Sequence, residues 1–385
     1  MFYRKSKYIQ LEAITSVLLI LSTITALSIC NSPYKDLFYN LFHNTYIAKN
    51  FSLHNFVNDF LMSIFFLLAG LEIKQEILYG SLSSFKKASF PVIASIGGTI
   101  IPAVIFLFFN FNTDYISGVC IPISTDIAFS MGIFFLFSKY LNPNSRLFLL
   151  SLAVVDDLIS IFMIGTIYST HININFIILG SISLLLMYIC NKIFYIENPL
   201  YYIVGGLCLW YFVHLSGIHS TVSGILLAIV IPSKSNKNNV PLSQKLQKSI
   251  NPISSLLIIP LFAFANTGIS ISSTLELTKY PSLFLGIYFG LLIGKPLGIM
   301  SFSFISCFLG ISKKPITLDW LSIFLVSLIA GIGFTMSIFV SEVAFVGNNE
   351  IISLSRIYIL ISSIMSITLS SFTIITLKEL HITKY

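Results

Sequence analysis

Long apolar runs, parted by short polar stretches, pattern the chain from end to end. To within a few residues they fall at 13–30, 56–73, 89–109, 119–137, 147–168, 175–195, 199–216, 219–232, 253–271, 282–309, 320–344 and 351–377. Most approach the roughly 20 residues that a helix needs to cross hydrocarbon, and 219–232 is short. The pattern predicts an all-α integral membrane protein of about 12 transmembrane helices. One membrane domain spans 1–385, with no soluble domain between the runs. The longest connection, about 31–55, is polar and aromatic. The first run follows Arg4, Lys5 and Lys7 and has no clear small-x-small cleavage site after it, so it reads as a retained helix.

Composition supports a bilayer as the solvent. The chain is 56% hydrophobic and 10% charged, against roughly 25% charged in soluble domains. A net charge of +7 invites a nucleic-acid reading, but the placement of the cations argues against one. With the N-terminus in the cytoplasm and spans alternating, 17 of the 22 Lys and Arg fall on the cytoplasmic side. Four (Lys35, Lys49, Lys279 and Arg356) fall on the other, and Lys295 lies inside a run. Such asymmetry fits twelve crossings with both termini inside. Five cysteines, odd in number and without a CxxC pair, indicate neither a disulfide framework nor a zinc site.

The chain also repeats. D-I-A-F-S-M-G-I-F at 126–134 matches G-I-G-F-T-M-S-I-F at 331–339 in five of nine positions, and the offset of 205 also carries Pro91 onto Pro296. In this topology the two segments cross in opposite directions. Inverted repeats, at approximately 89–168 and 282–377, are a transporter architecture.

Four ionisable side chains sit at membrane depth: Asp126, Asp156, Asp157 and Lys295. Each costs roughly 2.5–3.5 kcal/mol at a helix centre, so four cost on the order of 10 kcal/mol unless paired or wetted. They are therefore expected to share a polar cavity, to pair, or both. Asp156 and Asp157 are adjacent, so their side chains point about 100° apart on a helix. One can face a cationic partner while the other faces water, and close carboxylates titrate as a coupled pair. A hard cation such as sodium seeks the same oxygens as a proton does, and this competition is the minimal chemistry of exchange.

Asp126 lies in P-I-S-T-D, where Pro122 removes a backbone donor and Ser124 and Thr125 can bond freed backbone groups. Gly331 and Gly333 stand in the matching segment. Both helices are thus expected to break within the membrane, which is tolerated only beside a cavity or under protein cover. Broken helices leave opposed partial charges at the break, for Asp126 and Lys295 to balance. Asp126 also suits a helix N-cap near the surface, and Lys295 suits a lysine snorkelling to an interface. Lys295, in G-K-P, has Asp156 or Asp157 as its natural counter-ion. Asp59 and Glu72 read as solvated acids at helix ends, and His219 as a local hydrogen-bonding residue. The Gly-rich stretches lack the spacing and basic residue of phosphate loops.

These residues fall in segments that closely resemble the NhaA-type bacterial sodium/proton antiporters over nearly the whole length. The segments are F-F-L-L-A-G-L-E-I-K (65–74), F-P-V-I-A-S-I-G-G (90–98), T-D-I-A-F (125–129), D-D-L (156–158), S-G-I-H-S-T (216–221), P-L-F-A-F-A-N-T-G (260–268), L-I-G-K-P-L-G (292–298) and G-I-G-F-T-M-S-I-F (331–339). The resemblance implies spans 4 and 11 broken and crossing. It implies that Asp156 and Asp157 bind protons and sodium or lithium as the metal ligands, with Thr125 near the ion. It implies that Lys295 pairs with Asp156, and that Asp126 and Lys295 offset helix-end charge. It implies electrogenic exchange of two protons for one cation, serving pH homeostasis at the bacterial inner membrane, with no cofactor beyond the transported ions. Glu72 is kept from the family's pH-responsive cluster, but Gln75, Gln247 and Asn251 stand where arginine, glutamate and histidine are expected. The loop that carries a dimer-forming β-hairpin in the family is shortened here, and a homodimer is left open.

Other classes fit less well. The acid pair is similar to that of diphosphate-binding prenyltransferases, but these need further Asp residues to hold magnesium. Lys295 as a retinal Schiff base expects seven helices. A passive sodium channel would not couple to protons.

Overall fold

The computed structural model describes residues 2–48, 51–80, 82–169, 172–194, 196–234, 240–269 and 279–379. Residue 195, residues 270–271, Lys49, Lys237 and Lys384 lie outside them, as do the side chains of Arg4, Lys5, Lys7, Lys86 and Lys87.

Helix α1 (Phe2–Cys30) leads into a two-stranded antiparallel ribbon of β1 (Tyr46–Ala48) and β2 (Phe51–Ser52), which pairs Tyr46 with Ser52 and Ala48 with Phe51. The shortened loop therefore keeps a minimal hairpin. Next come α2 (Leu53–Tyr79), α3 (Phe85–Asn110), a 3-10 turn at Ile116–Ile123 and α4 (Ile127–Leu136). Helices α5 (Ser145–Ile167), α6 (Ile174–Phe194), α7 (Pro199–Leu215) and α8 (Val222–Val230) follow. The rest is α9 (Leu242–Asn266), α10 (Pro281–Phe308), α11 (Trp320–Ala330), α12 (Phe334–Ala344) and α13 (Asn349–Glu379).

Among the described residues, nine helical segments are long and apolar enough to cross a membrane, and α11 with α12, bent by 47° at their junction, makes a tenth. The other two expected runs are the helices α7 and α8, of 17 and 9 residues. Most runs agree with their helices to within a few residues. The main difference is α9, which begins at Leu242 rather than 253. Its first turns are amphipathic, L-S-Q-K-L-Q-K, and the polar face concealed them from a hydropathy reading.

Bare backbone brings the central helices together. Gly97 of α3 and Gly298 of α10 meet so closely that a Cβ on either would lie 2.3 and 2.1 Å from the other's carbonyl oxygen. Small residues permit this approach in membranes, where packing rather than water drives association. Gly224 of α8 likewise lies against Ser63 and Leu67 of α2. Lys74, at the end of α2, donates to the carbonyls of Ala228, Ile229 and Ile231 at the C-terminus of α8, where a cation meets the negative end of a helix.

Polar ties hold the two ends. Arg146 of α5 is 3.2 Å from Glu12 of α1. At the other end, Arg356 of α13 pairs with Glu342 of α12 at 2.5 Å and donates to Asn266 of α9, which exchanges hydrogen bonds with Asn58 of α2. Arg356, counted on the non-cytoplasmic side and within the last run, lies inside a helix and is mostly buried. The tie to a carboxylate on the neighbouring helix keeps it there.

Candidate functional site

Two chain breaks build the centre. Span 4 enters as the 3-10 turn, whose Pro122 cannot donate, and runs extended through Ser124 before α4 begins at Ile127. The α11–α12 pair breaks at Gly331–Gly333. The breaks bind each other: Asp126 N–H donates to Ile332 O at 2.8 Å, and Ser130 Oγ to Ile329 O at 3.2 Å. Backbone groups left without helix partners are satisfied across the junction.

Asp126 is an N-cap, but one that is 1% exposed at the chain break rather than near the surface. Its Oδ1 accepts from Phe129 N–H at 2.9 Å, capping α4. Its Oδ2 accepts from Thr335 N–H at 3.1 Å, and from the Thr335 hydroxyl, at the start of α12. One carboxylate therefore serves two helix N-termini, where negative charge is favoured. Replacing Asp126 with alanine leaves these donors buried and unpaired, each costing about 1–3 kcal/mol. The expected result is a markedly lower thermal midpoint in detergent, and a midpoint equal to wild type would refute the tie.

Lys295 is fully buried, so snorkelling to an interface is excluded. Its Nζ lies 2.9 Å from Asp156 Oδ2 and donates to Ile123 O, at the C-terminal end of the 3-10 turn, and to Thr125 Oγ1. Thr125 Oγ1 is 3.0 Å from both Asp156 Oδ2 and Ala330 O, and its one hydrogen serves either. Ser95 Oγ donates to Asp156 Oδ1. Every oxygen of Asp156 is thus engaged.

Asp157 differs. It is 3% exposed, and its Oδ2 is buried with no hydrogen-bond partner among the described residues. An ionised carboxylate left so would be costly, so a proton or a cation must neutralise it. The helix spacing of adjacent residues accounts for the contrast, turning one acid to the lysine and the other away from it.

A cavity of about 110 Å³ extends from the end where Glu12, Glu72 and Asn251 lie as far as Asp126, Thr335 and Met336. Asn251 also borders a larger amide-rich space of about 320 Å³ with Gln75, Gln244, Gln247 and Lys248. Glu72 hydrogen-bonds to Gln247. Asp59 is 3.8 Å from His219 Nε2, and His219 Nδ1 is 2.8 Å from Thr221 Oγ1. Neither Glu72 nor Asp59 is thus a free, solvated acid: both meet partners on neighbouring elements.

The site brings together Thr125, Asp126, Asp156, Asp157 and Lys295, while Glu72 stands apart on the cavity wall. Sequence reasoning missed Ser95 and Ser160 and gave Ser124 to backbone repair. Ser124 Oγ instead lies 3.3 Å from Ser160 Oγ. Among the described residues no group of three or more His, Cys, Asp or Glu could hold a metal ion.

The family model described as Na+/H+ antiporter 1 matches residues 6–374. The chain belongs to that family. It is 38% identical to Na(+)/H(+) antiporter NhaA 2 of Aliarcobacter butzleri, with 96% of each chain covered. It is 37% identical to Na(+)/H(+) antiporter NhaA of Pelagibacter ubique, again over 96% of each. It is also 37% identical to Na(+)/H(+) antiporter NhaA of Helicobacter pylori strain J99, over 93% of this chain and 92% of that one. As a member of the antiporter family it is a multi-span membrane protein, with no strand beyond its short ribbon among the described residues, and the centre described above lies within the matched span.

Proposed function

We propose that this chain is an electrogenic antiporter that exports sodium or lithium from a bacterial cell in exchange for protons, two for each cation. The observation that carries this reading is the unlike environment of two adjacent buried acids: Asp156 is saturated by Lys295, Thr125 and Ser95, while an oxygen of Asp157 has no partner among the described residues.

Asp157 takes the cation, because its free oxygen must be neutralised by some positive species. Loading from the cavity beside Asp126 displaces its proton. Asp156 can turn to the same cation only if Lys295 gives up its hold, so the second proton belongs to the Asp156–Lys295 pair. Asp126 and Lys295 compensate the ends of the broken helices. Thr125 links both halves to the site. Glu72, on the cavity wall beside Gln247, is the group placed to respond to pH.

The same proposal comprises twelve crossings with both termini cytoplasmic, one transporter domain with inverted repeats at about 89–168 and 282–377, and crossing spans 4 and 11 that rock between two open faces. The hairpin, with Tyr46 and Ile47 exposed, is the surface offered to a second copy, and cross-linking through cysteines placed there checks this.

Purified protein in vesicles, with a pH-sensitive dye inside, tests the exchange. Sodium should restore the dye's fluorescence, and the apparent KM for sodium should fall as pH rises, because fewer protons contest the same oxygens. Two protons against one cation move net charge, so a potassium diffusion potential set with valinomycin should change the rate. A rate indifferent to the imposed potential would refute the two-proton count.

A further inference from the structure

The end of the molecule opposite the entry cavity is shut by two layers. The inner layer is aromatic. Phe66 of α2, Phe262 of α9 and Phe339 of α12 are buried, with ring centroids 5.4 Å apart for Phe66 and Phe339 and 6.1 Å apart for Phe262 and Phe339. Phe66 and Phe339 also border, with Asp157, a void of about 10 Å³. That is room for no more than one water, so a hydrated ion cannot pass there.

The outer layer is polar, and the same three helices supply it. Asn266 follows Phe262 by four residues, Glu342 follows Phe339 by three, and Asn58 precedes Phe66 by eight. Arg356 joins them from α13. Its Nε donates to Glu342 Oε1 at 2.8 Å and its Nη2 to Asn266 Oδ1 at 3.2 Å. Asn266 and Asn58 exchange side-chain hydrogen bonds of 2.8 and 3.3 Å, and His54 Nε2 lies 3.2 Å from Asn266 Oδ1. His43 stacks on His54 and Tyr39 on His43, which carries the column to the exposed surface.

We infer that this double layer is the external gate of the transport path. The three rings are the plug, and Arg356, held between Glu342 and Asn266, is the latch that parts before an ion leaves Asp157 for the outside. This rests on the antiporter reading above.

The placement of the partners argues for a latch rather than a brace. Glu342 and Arg356 stand in the later repeat, while Asn58 and Asn266 stand on helices outside both repeats. The bond from Arg356 to Asn266 therefore crosses the boundary along which one body rocks against the other. The chemistry suits a contact that is made and broken. A buried ion pair contributes little beyond apolar residues of similar volume, so stability alone does not call for charges here. Close to an exposed surface, water can replace each bond as it parts, so opening leaves no group unsatisfied. The rings keep that water from Asp157 while the latch is closed.

The two ends also differ as alternating access requires of a single state. The Arg146–Glu12 pair, beside the 110 Å³ cavity, has side chains 26% and 31% exposed, whereas those of Arg356 and Glu342 are 11% and 12% exposed, with the plug beneath them.

The test reads access from outside. Met62, 1% exposed, lies on α2 between Asn58 and Phe66, four residues from each. A Met62→Cys variant in intact cells is treated with a membrane-impermeant, positively charged methanethiosulfonate, and the same protein without that substitution gives the background of the native cysteines. With the latch intact the reaction should be slow. Adding Glu342→Gln and Arg356→Gln together, which removes both charges and orphans neither, should speed it roughly tenfold or more, since the rate follows the population of the open state. Asn266→Ser, which shortens the bridge without touching a charge, should act in the same direction and stands in if the double variant folds poorly. The converse arm closes the gate. With cysteines at Asn58 and Asn266 joined by a short bifunctional thiol reagent, exchange in vesicles should fall to the level of protein-free vesicles and return when the link is reduced.

Unchanged reactivity of Met62→Cys in the latch variants, with or without a lower thermal midpoint, overturns the proposal and makes the cluster a structural tie. So does full exchange by completely cross-linked protein. In both cases the antiporter reading stands, since exchange is still measured. If wild type shows no sodium-driven proton movement, that reading fails instead.

Discussion

Asp157→Asn should bring sodium-driven proton movement down to the level of protein-free vesicles while leaving yield and thermal midpoint near wild type. The amide has almost the shape of the carboxyl but can neither release a proton nor carry the charge that holds a cation. The native Oδ2 makes no hydrogen bond to any described residue, so the substitution breaks none there. Asp156→Asn provides the contrast. It removes the counter-ion 2.9 Å from a fully buried Lys295, and breaking a buried pair on one side costs about 3–5 kcal/mol. That variant should lose stability as well as transport. Full exchange by Asp157→Asn in the vesicle assay would remove the ion from this site.

Gly298→Val is expected to be the most damaging change remote from the acids. Its side chain would enter the space of the Gly97 carbonyl, 2.1 Å from the oxygen and 2.6 Å from its carbon. Backbone on both sides leaves no flexible atom to give way, so the cost is about 3 kcal/mol or more. Helices α3 and α10 would be levered apart, and they carry Ser95 and Lys295, the two groups that grip opposite oxygens of Asp156. Folded yield from membranes should drop sharply. A monodisperse protein with a wild-type melting midpoint would show that the crossing is not as close as described.

The runs that became helices were legible because hydrocarbon imposes a length and a polarity that few residues can evade. The two breaks were legible for a related reason: Pro122, Gly331 and Gly333 are conspicuous where every backbone group must find a partner. Position in sequence also exposed Asp156, Asp157 and Lys295, since a charge in an apolar run survives only beside a partner or in water. The first turns of α9 were hidden because Lys245, Gln247 and Lys248 resemble a loop once the facing Leu242 and Leu246 are averaged with them. Glu342 and Arg356 were hidden because each sits near a helix end, and only folding shows that they meet. The serines were hidden by abundance. Many helical hydroxyls return to their own backbone, as Ser151 does to the carbonyl of Leu147 and Ser362 to that of Tyr358. No pattern in the chain distinguishes them from Ser124 and Ser160, which look to each other.

The knot at Asp126 has a mechanical consequence. Its two oxygens tether the leading turns of α4 and α12, which belong to distant stretches of chain, to one carbon atom. Neither segment can swing alone without tearing a tether. Any stroke that carries an ion past this point must therefore turn both as a single rotor, with the slack taken up at the glycines and the extended link rather than at the hub.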